Sequence, residues 1–330
     1  MEPVPREQLD PAALEGRHVA VLGFGAQGRA QALNLRDSGV DVVVALRDAS
    51  PRRADCEALG LRVVTPAEAA AERDVFAMLV PDEAQPTVYE DCLHGAAAEG
   101  SALVFAHGYN IHYGHLRPRD DLDVLMVAPL GIGEQVRQQY EAGRGVPGLL
   151  AVARDATGAA RDLGLAYATA NGHARAAVFE TTFTEETETD LFAEQAVLCG
   201  GLNHLITAAF ETLVESGYPE ELAYFSCLHE VQLIADLVQR RGIAGMRGSI
   251  SSTAAFGDYT RGPRVVGPES RRAMRAMLEE IRDGRFDREL SAEMAAGGPT
   301  LAEGRRRAEA HPIEVVGRRL RALMPWLEGD

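Results

Sequence analysis

The chain of 330 residues contains no lysine, so all 33 of its basic side chains are arginine. Chemistry that needs a side-chain amine, such as a Schiff base or the phosphate-gripping lysine of a P-loop, is excluded with it. Basic charge is also outnumbered. Against the arginines stand 49 acidic residues, giving a net charge of -16 and a pI near 5.1. No basic stripe is present, and nucleic acid is therefore not an expected partner. Cysteine is limited to Cys56, Cys92, Cys199 and Cys227, with no C-x-x-C pair. That spacing indicates neither a disulfide framework nor a thiolate zinc site, and the four read as reduced, mostly buried thiols. No uninterrupted apolar run approaches the roughly 18 residues of a membrane span. The opening MEPVPREQLDPAALEG lacks the charged and apolar regions of a signal peptide. A cytoplasmic protein without a membrane partner is expected.

What is present is ordinary for a globular protein: 46% hydrophobic and 25% charged residues, in a chain long enough for two domains. From His18 to about Phe183 the apolar runs are short and Val-rich. HVAVLG, VDVVVAL, LRVV, DVFAMLV, ALVFAHG, DVLMVAP and GLLAVAR read as strands covered on both faces, because buried parallel sheets give continuous apolar runs rather than alternation. The fold class is α/β, a Rossmann-like doubly wound parallel sheet, over residues 1–182. After Glu185 the spacing of apolar residues becomes three and four, as in LFAEQAVLCGGLNHLITAAFETLVESG. Residues 183–330 thus read as an all-α domain without a convincing strand.

VAVLGFGAQGRAQALNL places Gly23, Gly25 and Gly28 in G-x-G-x-x-G spacing, directly after a strand and opening a helix. In that context Gly23 allows the tight turn, Gly25 lets a pyrophosphate approach the backbone, and Gly28 lets helix and strand pack closely. Gln27 lies in the same turn and joins the cofactor-binding set. A glycine turn that binds no nucleotide is the bland alternative. An NAD site usually ends its second strand in an acid that bonds the ribose hydroxyl. Here RDASPRR follows, and Arg47, Ser50, Arg52 and Arg53 offer donors suited to a 2'-phosphate. NADPH is the expected cofactor. The competing reading has Asp48 accept the ribose, with the arginines as surface charge.

Six acidic residues fall between Glu180 and Glu194 in ETTFTEETETDLFAEQAVLCGG. Glu185, Glu186 and Glu188 are read as acids favoured by a helix N-terminus. Asp190 and Glu194 are different, since residues four apart share a helix face and two carboxylates there repel unless a cation lies between them. Oxygen ligands without nearby Cys or His favour Mg²⁺. His107, in HGYNIHYG after the strand ALVFA, stands at the carboxyl end of the sheet, where such folds place ligands.

Taken together, GFGAQGRAQALNLRDSGVDVVV, FAHGYNIHYG, ETETDLFAEQAVLCGG, CLHE, SISSTAAFGDY and RALMPW resemble the motifs of ketol-acid reductoisomerase (acetohydroxy-acid isomeroreductase). The likeness runs from about Gly16 to Trp326. It implies an NADPH- and Mg²⁺-dependent enzyme that shifts an alkyl group in a 2-hydroxy-3-keto acid and then reduces the product with hydride. It further implies that Asp190 bridges two metals and that Glu194 ligates one. Glu230 of the partner subunit would approach the second metal's waters, Ser251 the substrate carboxylate, and His107 would order hydrogen bonds beside the nicotinamide. An intertwined dimer with a knotted helical domain is implied as well.

Two positions depart from that pattern. The family usually has lysine after VAP, where this chain has Leu130, and glutamate one turn before the CLHE glutamate, where it has Ser226. A lost cation and a lost carboxylate should weaken the alkyl shift more than hydride transfer, since preorganised charges of this kind can each be worth roughly 3 kcal/mol. The expectation is a reductase of a small 2-keto or 2-hydroxy-3-keto acid with isomerisation weakened. A true ketol-acid reductoisomerase and a non-catalytic nucleotide-binding paralogue are the alternatives.

Overall fold

The computed structural model describes residues 1–324 and Trp326; Pro325, within RALMPW, and residues 327–330 lie outside the described residues. The chain divides into two units, Met1–Thr189 and Asp190–Asp330.

The first unit is built on eight strands: β1 His18–Leu22, β2 Asp41–Ala45, β3 Arg62–Val64, β4 Val75–Met78, β5 Ala102–Phe105, β6 Asp123–Pro129, β7 Gly148–Arg154 and β8 Val178–Glu180. Their order in the sheet is β3-β2-β1-β4-β5-β6-β7-β8. The Val-rich runs form strands because both faces are covered. All four residues of β4 and of β5 are buried, and the core divides into one apolar cluster on each face of the sheet. The chain reverses its direction of winding between β1 and β4, which makes the carboxyl ends of those strands the ligand crevice of a doubly wound sheet.

Two features differ from an all-parallel, seven-strand sheet. β7 runs antiparallel to β6, with Pro129 opposite Gly148 and a register irregularity at Val124/Leu125. The connection holds only one short helix, Gly133–Glu141, and returns the chain into the sheet at the end from which β6 left. The added strand β8 pairs parallel with β7. At three residues it is too short to carry a periodic signal. The Val4 N–H donates to the Val178 carbonyl at 2.8 Å, so the N-terminal segment covers part of this outer edge.

In the second unit no strand occurs among the described residues. A small core gathers Phe210, Ala223, Tyr224, Ile313, Val316 and Leu320. Two helices in it are interrupted by π-turns, at Glu194–Leu198 and Phe225–His229. Many apolar side chains of this unit are exposed, among them Leu198, Leu233, Ile243, Phe256 and Val265.

Candidate active site and metal centre

The G-x-G-x-x-G turn closes the carboxyl end of β1 onto helix α1 (Ala26–Asp37), whose N-cap is Gly25. Gly23 has φ +102, and a Cβ there would lie 2.7 Å from the Leu79 carbonyl oxygen beyond β4. A Cβ on Gly28 would lie 2.4 Å from the Gly23 oxygen. Both glycines are therefore required by backbone contacts, while Gly25 has open space at its Cα, as a backbone approached by a pyrophosphate needs. Beyond β2, the Ser50 N–H donates to the Arg47 carbonyl, and the Arg52 N–H donates to Ser50 Oγ. Arg53 turns back onto the Leu46 carbonyl at 2.9 Å, and Arg52 pairs with Asp55. Arg47 is exposed.

Gln27 has a second task. Its amide donates to the Gly131 carbonyl at 3.0 Å, and a Cβ on Gly133 would lie 2.3 Å from the Ala26 carbonyl. The segment from Leu130 to Gly133 is thereby seated directly on the dinucleotide turn. The Leu130 N–H donates to the Pro147 carbonyl at 2.9 Å, which fixes the backbone, yet the side chain is 54% exposed. The register of β5 on β6 pairs Phe105 with Met126. His107 and Leu130 consequently leave neighbouring strands at the same end of the sheet.

His107 is positioned by a carboxylate that sequence reasoning assigned elsewhere. Glu186, 4% exposed, lies in the first turn of helix Phe183–Ala193. It accepts from His107 Nδ1 at 2.9 Å and from the Gly108 N–H at 2.8 Å. A Cβ on Gly108 would lie 2.4 Å from Thr187 Oγ1, so glycine is what lets this loop close on the helix. The helix-dipole account suits Glu185, which reaches back to Thr181 and Thr182 while its N–H donates to Thr182 Oγ1. For Glu186 it is insufficient. A buried carboxylate on Nδ1 fixes the imidazole with its proton on that nitrogen and directs Nε2 away from it. The signal in the sequence was the spacing, because Glu186, Asp190 and Glu194 form one stripe at intervals of four.

Asp190 is one turn beyond Glu186 on the same helix, and His107, Glu186 and Asp190 each offer a ligand atom within 4.8 Å of the other two. Glu194 continues the stripe where the α-helix gives way to the π-turn. Two of the three donors are carboxylates, one of them buried, which suits a hard divalent cation such as Mg²⁺; the third is a histidine nitrogen, so the expectation of oxygen ligands without a nearby His does not hold. In the second unit, Glu230 directly follows the other π-turn, its N–H donating to the Phe225 carbonyl at 3.1 Å. Ser251 caps helix Ser252–Val265, with Oγ accepting from the Ala254 N–H at 3.2 Å. Glu230, Ser251 and Ser226 are exposed.

Known proteins resemble this chain along nearly its whole length. Residues 13–177 match the family model described as acetohydroxy acid isomeroreductase, NADPH-binding domain, and residues 183–326 match ketol-acid reductoisomerase, C-terminal domain. Among solved structures, an NADH-preferring ketol-acid reductoisomerase from an uncultured archaeon is 41% identical. The match covers 98% of this chain and 99% of that one, with a TM-score of 0.95. A semialdehyde dehydrogenase NAD-binding protein from Cupriavidus necator is 19% identical over 81% of this chain and 99% of its own, with a TM-score of 0.62. A pyrroline-5-carboxylate reductase from Coxiella burnetii is 14% identical over 81% and 98%, with a TM-score of 0.56. The last two show a shared fold. The first, with both family models, shows more: the chain belongs to the ketol-acid reductoisomerase family and is a nicotinamide-dependent oxidoreductase.

Proposed function

We propose that this family member is an NADPH- and Mg²⁺-dependent reductase of a small 2-keto or 2-hydroxy-3-keto acid, in which the isomerisation step is weakened. The observation that carries the reading is Leu130. It puts an exposed apolar side chain, on a backbone fixed to the dinucleotide turn, at the end of the sheet that also carries His107. An uncharged side chain there cannot stabilise a developing alkoxide, and hydride transfer places less demand on such charge.

Asp190 and Glu194 would hold the cation, with Glu230 contributed by a second copy. When bound, the cation supplies Lewis-acid polarisation of the substrate oxygens and the nicotinamide supplies the hydride. Glu186 holds His107 with its proton on Nδ1, so that Nε2 can order a hydrogen bond or pass a proton at the reacting oxygen. Ser251 retains an O–H donor for a substrate carboxylate, since its helix cap uses Oγ only as an acceptor. Gly23, Gly25 and Gly28 would cradle the pyrophosphate, and Arg47, Ser50 and Arg52 would hold the 2'-phosphate. A division at residues 182/183 and a cytoplasmic homodimer complete the reading. The helical stretch Phe183–Glu215 carries a long apolar run that is almost entirely unburied, and a second copy would cover it.

The runner-up is a true ketol-acid reductoisomerase, favoured by the 41% identity along the whole chain. A non-catalytic nucleotide-binding paralogue is disfavoured by the retained stripe, since idle carboxylates repel at short range. Assaying NADPH oxidation separately with 2-acetolactate and with its rearranged product, 3-hydroxy-3-methyl-2-oxobutanoate, decides among the three. Turnover of the second substrate alone supports the proposal, efficient turnover of both supports the runner-up, and turnover of neither supports the paralogue.

A further inference from the structure

Two of the three carboxylates assigned above to the cation, Glu194 and Glu230, adjoin π-turns of the second unit. Glu194 opens one, closed by the Cys199 N–H donating to the Glu194 carbonyl at 2.9 Å. Glu230 ends the other, as its bond to Phe225 shows. On the far side of each turn stands an aromatic residue of the same core. Phe210 lies on helix Gly200–Glu215, and Tyr224 ends helix Glu220–Tyr224. Both rings are buried.

A π-turn holds one residue more than an α-turn, and one residue in a 3.6-residue period is a rotation of about 100°. Each turn therefore sets the direction in which a carboxylate leaves a helix whose other end is locked into the core. The first turn also explains the glycine pair of the LCGG motif, which cofactor and metal binding leave unexplained. A Cβ on Gly200 would lie 2.1 Å from the Gln195 carbonyl oxygen, and one on Gly201 would lie 2.1 Å from the Ala196 oxygen. Neither glycine has positive φ, so the requirement is the close approach of a carbonyl five residues back. Such a carbonyl is backbone and cannot swing aside.

We infer that Gly200 and Gly201 are positioning residues: by permitting the π-turn they fix the rotational phase of Asp190 and Glu194 against the helical core, as the second turn does for Glu230. The inference rests on the cation reading above. A packing role alone would make the turn dispensable once the helix is stable, and a phase role would not.

The test uses the full-length protein with Mn²⁺ as probe, its binding followed by electron paramagnetic resonance and folding by thermal melting. Four variants are compared with the wild type: deletion of Val197, whose side chain is exposed; Gly200→Ala; Gly200→Ala combined with that deletion; and Asp190→Ala. Removing a residue converts the turn to α-helix and takes the carbonyl away from the new Cβ. The combined variant should then melt as the wild type does, while still binding Mn²⁺ about tenfold or more weakly. The Val197 deletion and Gly200→Ala should weaken binding similarly. Wild-type Mn²⁺ affinity in any folded variant of the turn overturns the phase role. If the deletion does not fold, Gly201→Ala and removal of Ser226 from the second turn decide in the same way. Should the wild type fail to bind Mn²⁺, or Asp190→Ala bind it equally, the cation reading fails and takes this inference with it. Binding that is lost in Asp190→Ala but kept without Val197 sinks the phase role alone.

Discussion

His107 Nδ1 lies 2.9 Å from a carboxylate oxygen of Glu186, while the other oxygen of that carboxylate holds the Gly108 N–H. One buried side chain thus sets both the tautomer of the imidazole and the path of its loop. Replacing Glu186 with Gln keeps the shape but can present an N–H to Nδ1, which then has to accept and carries its proton on Nε2 instead. Turnover should fall about 10- to 100-fold, with the larger share in kcat. Steady-state kinetics check this, and rates within twofold of wild type would remove Glu186 from the site.

The cofactor prediction rests on Arg47. NADPH should bind at least about tenfold tighter than NADH, roughly 1.4 kcal/mol, and Arg47→Ala should narrow the gap. Titration calorimetry with both nucleotides measures it. Equal affinities in the wild type would transfer the role to Asp48, which is 87% exposed and within 3.8 Å of Arg53.

Restoring Leu130→Lys and Ser226→Glu together should raise turnover of 2-acetolactate by more than the product of the separate fold-changes. Each charge brought in alone is uncompensated, and either single variant should gain little or lose activity. The quantity to compare is the ratio of kcat/KM for 2-acetolactate and for its rearranged product, which cancels general damage. A ratio unchanged in the double variant would refute the assignment of both positions.

His173 gives a prediction about stability. It is 1% exposed, its Nδ1 donates to the Val146 carbonyl at 2.9 Å, and its Nε2 has no hydrogen-bond partner. Burial lowers its pKa below the ordinary 6.5, and the bond to Val146 opposes this only in part. A depressed folded-state pKa means that the unfolded chain binds the extra proton first. Stability contributed by the neutral ring is fully present above pH 6.5 and declines as pH falls, by up to about 1.4 kcal/mol per pH unit, until the folded form also protonates. His173→Asn, which keeps a donor for Val146, should flatten that slope in urea unfolding between pH 7 and 5 (roughly the window that linkage sets). An unchanged slope would assign the acid sensitivity to other groups.

Much of this molecule was legible before folding, and the exceptions have physical causes. Continuous Val-rich runs announced buried strands, and glycine spacing announced the dinucleotide turn. Antiparallel β7 was not legible, because a strand covered on both faces shows the same run in either direction. Glu186 was hidden by a sound argument, since acids do favour the first turn of a helix. Its contacts with His107 and Gly108, 79 and 78 residues away in sequence, separate it from Glu185, along with its four-residue spacing to Asp190. The π-turns were invisible for another reason: apolar spacing of three and four tolerates one extra residue without losing its pattern.

The bond from Gln27 to Gly131, with Gly133 pressed on Ala26, has a consequence for engineering and inheritance alike. The nucleotide turn and the segment from Leu130 to Gly133 interlock, so a graft that exchanges one and leaves the other joins surfaces that never matched. The turn and the segment that carries Leu130 therefore travel as one cassette, and a chimera should take its crossover outside both.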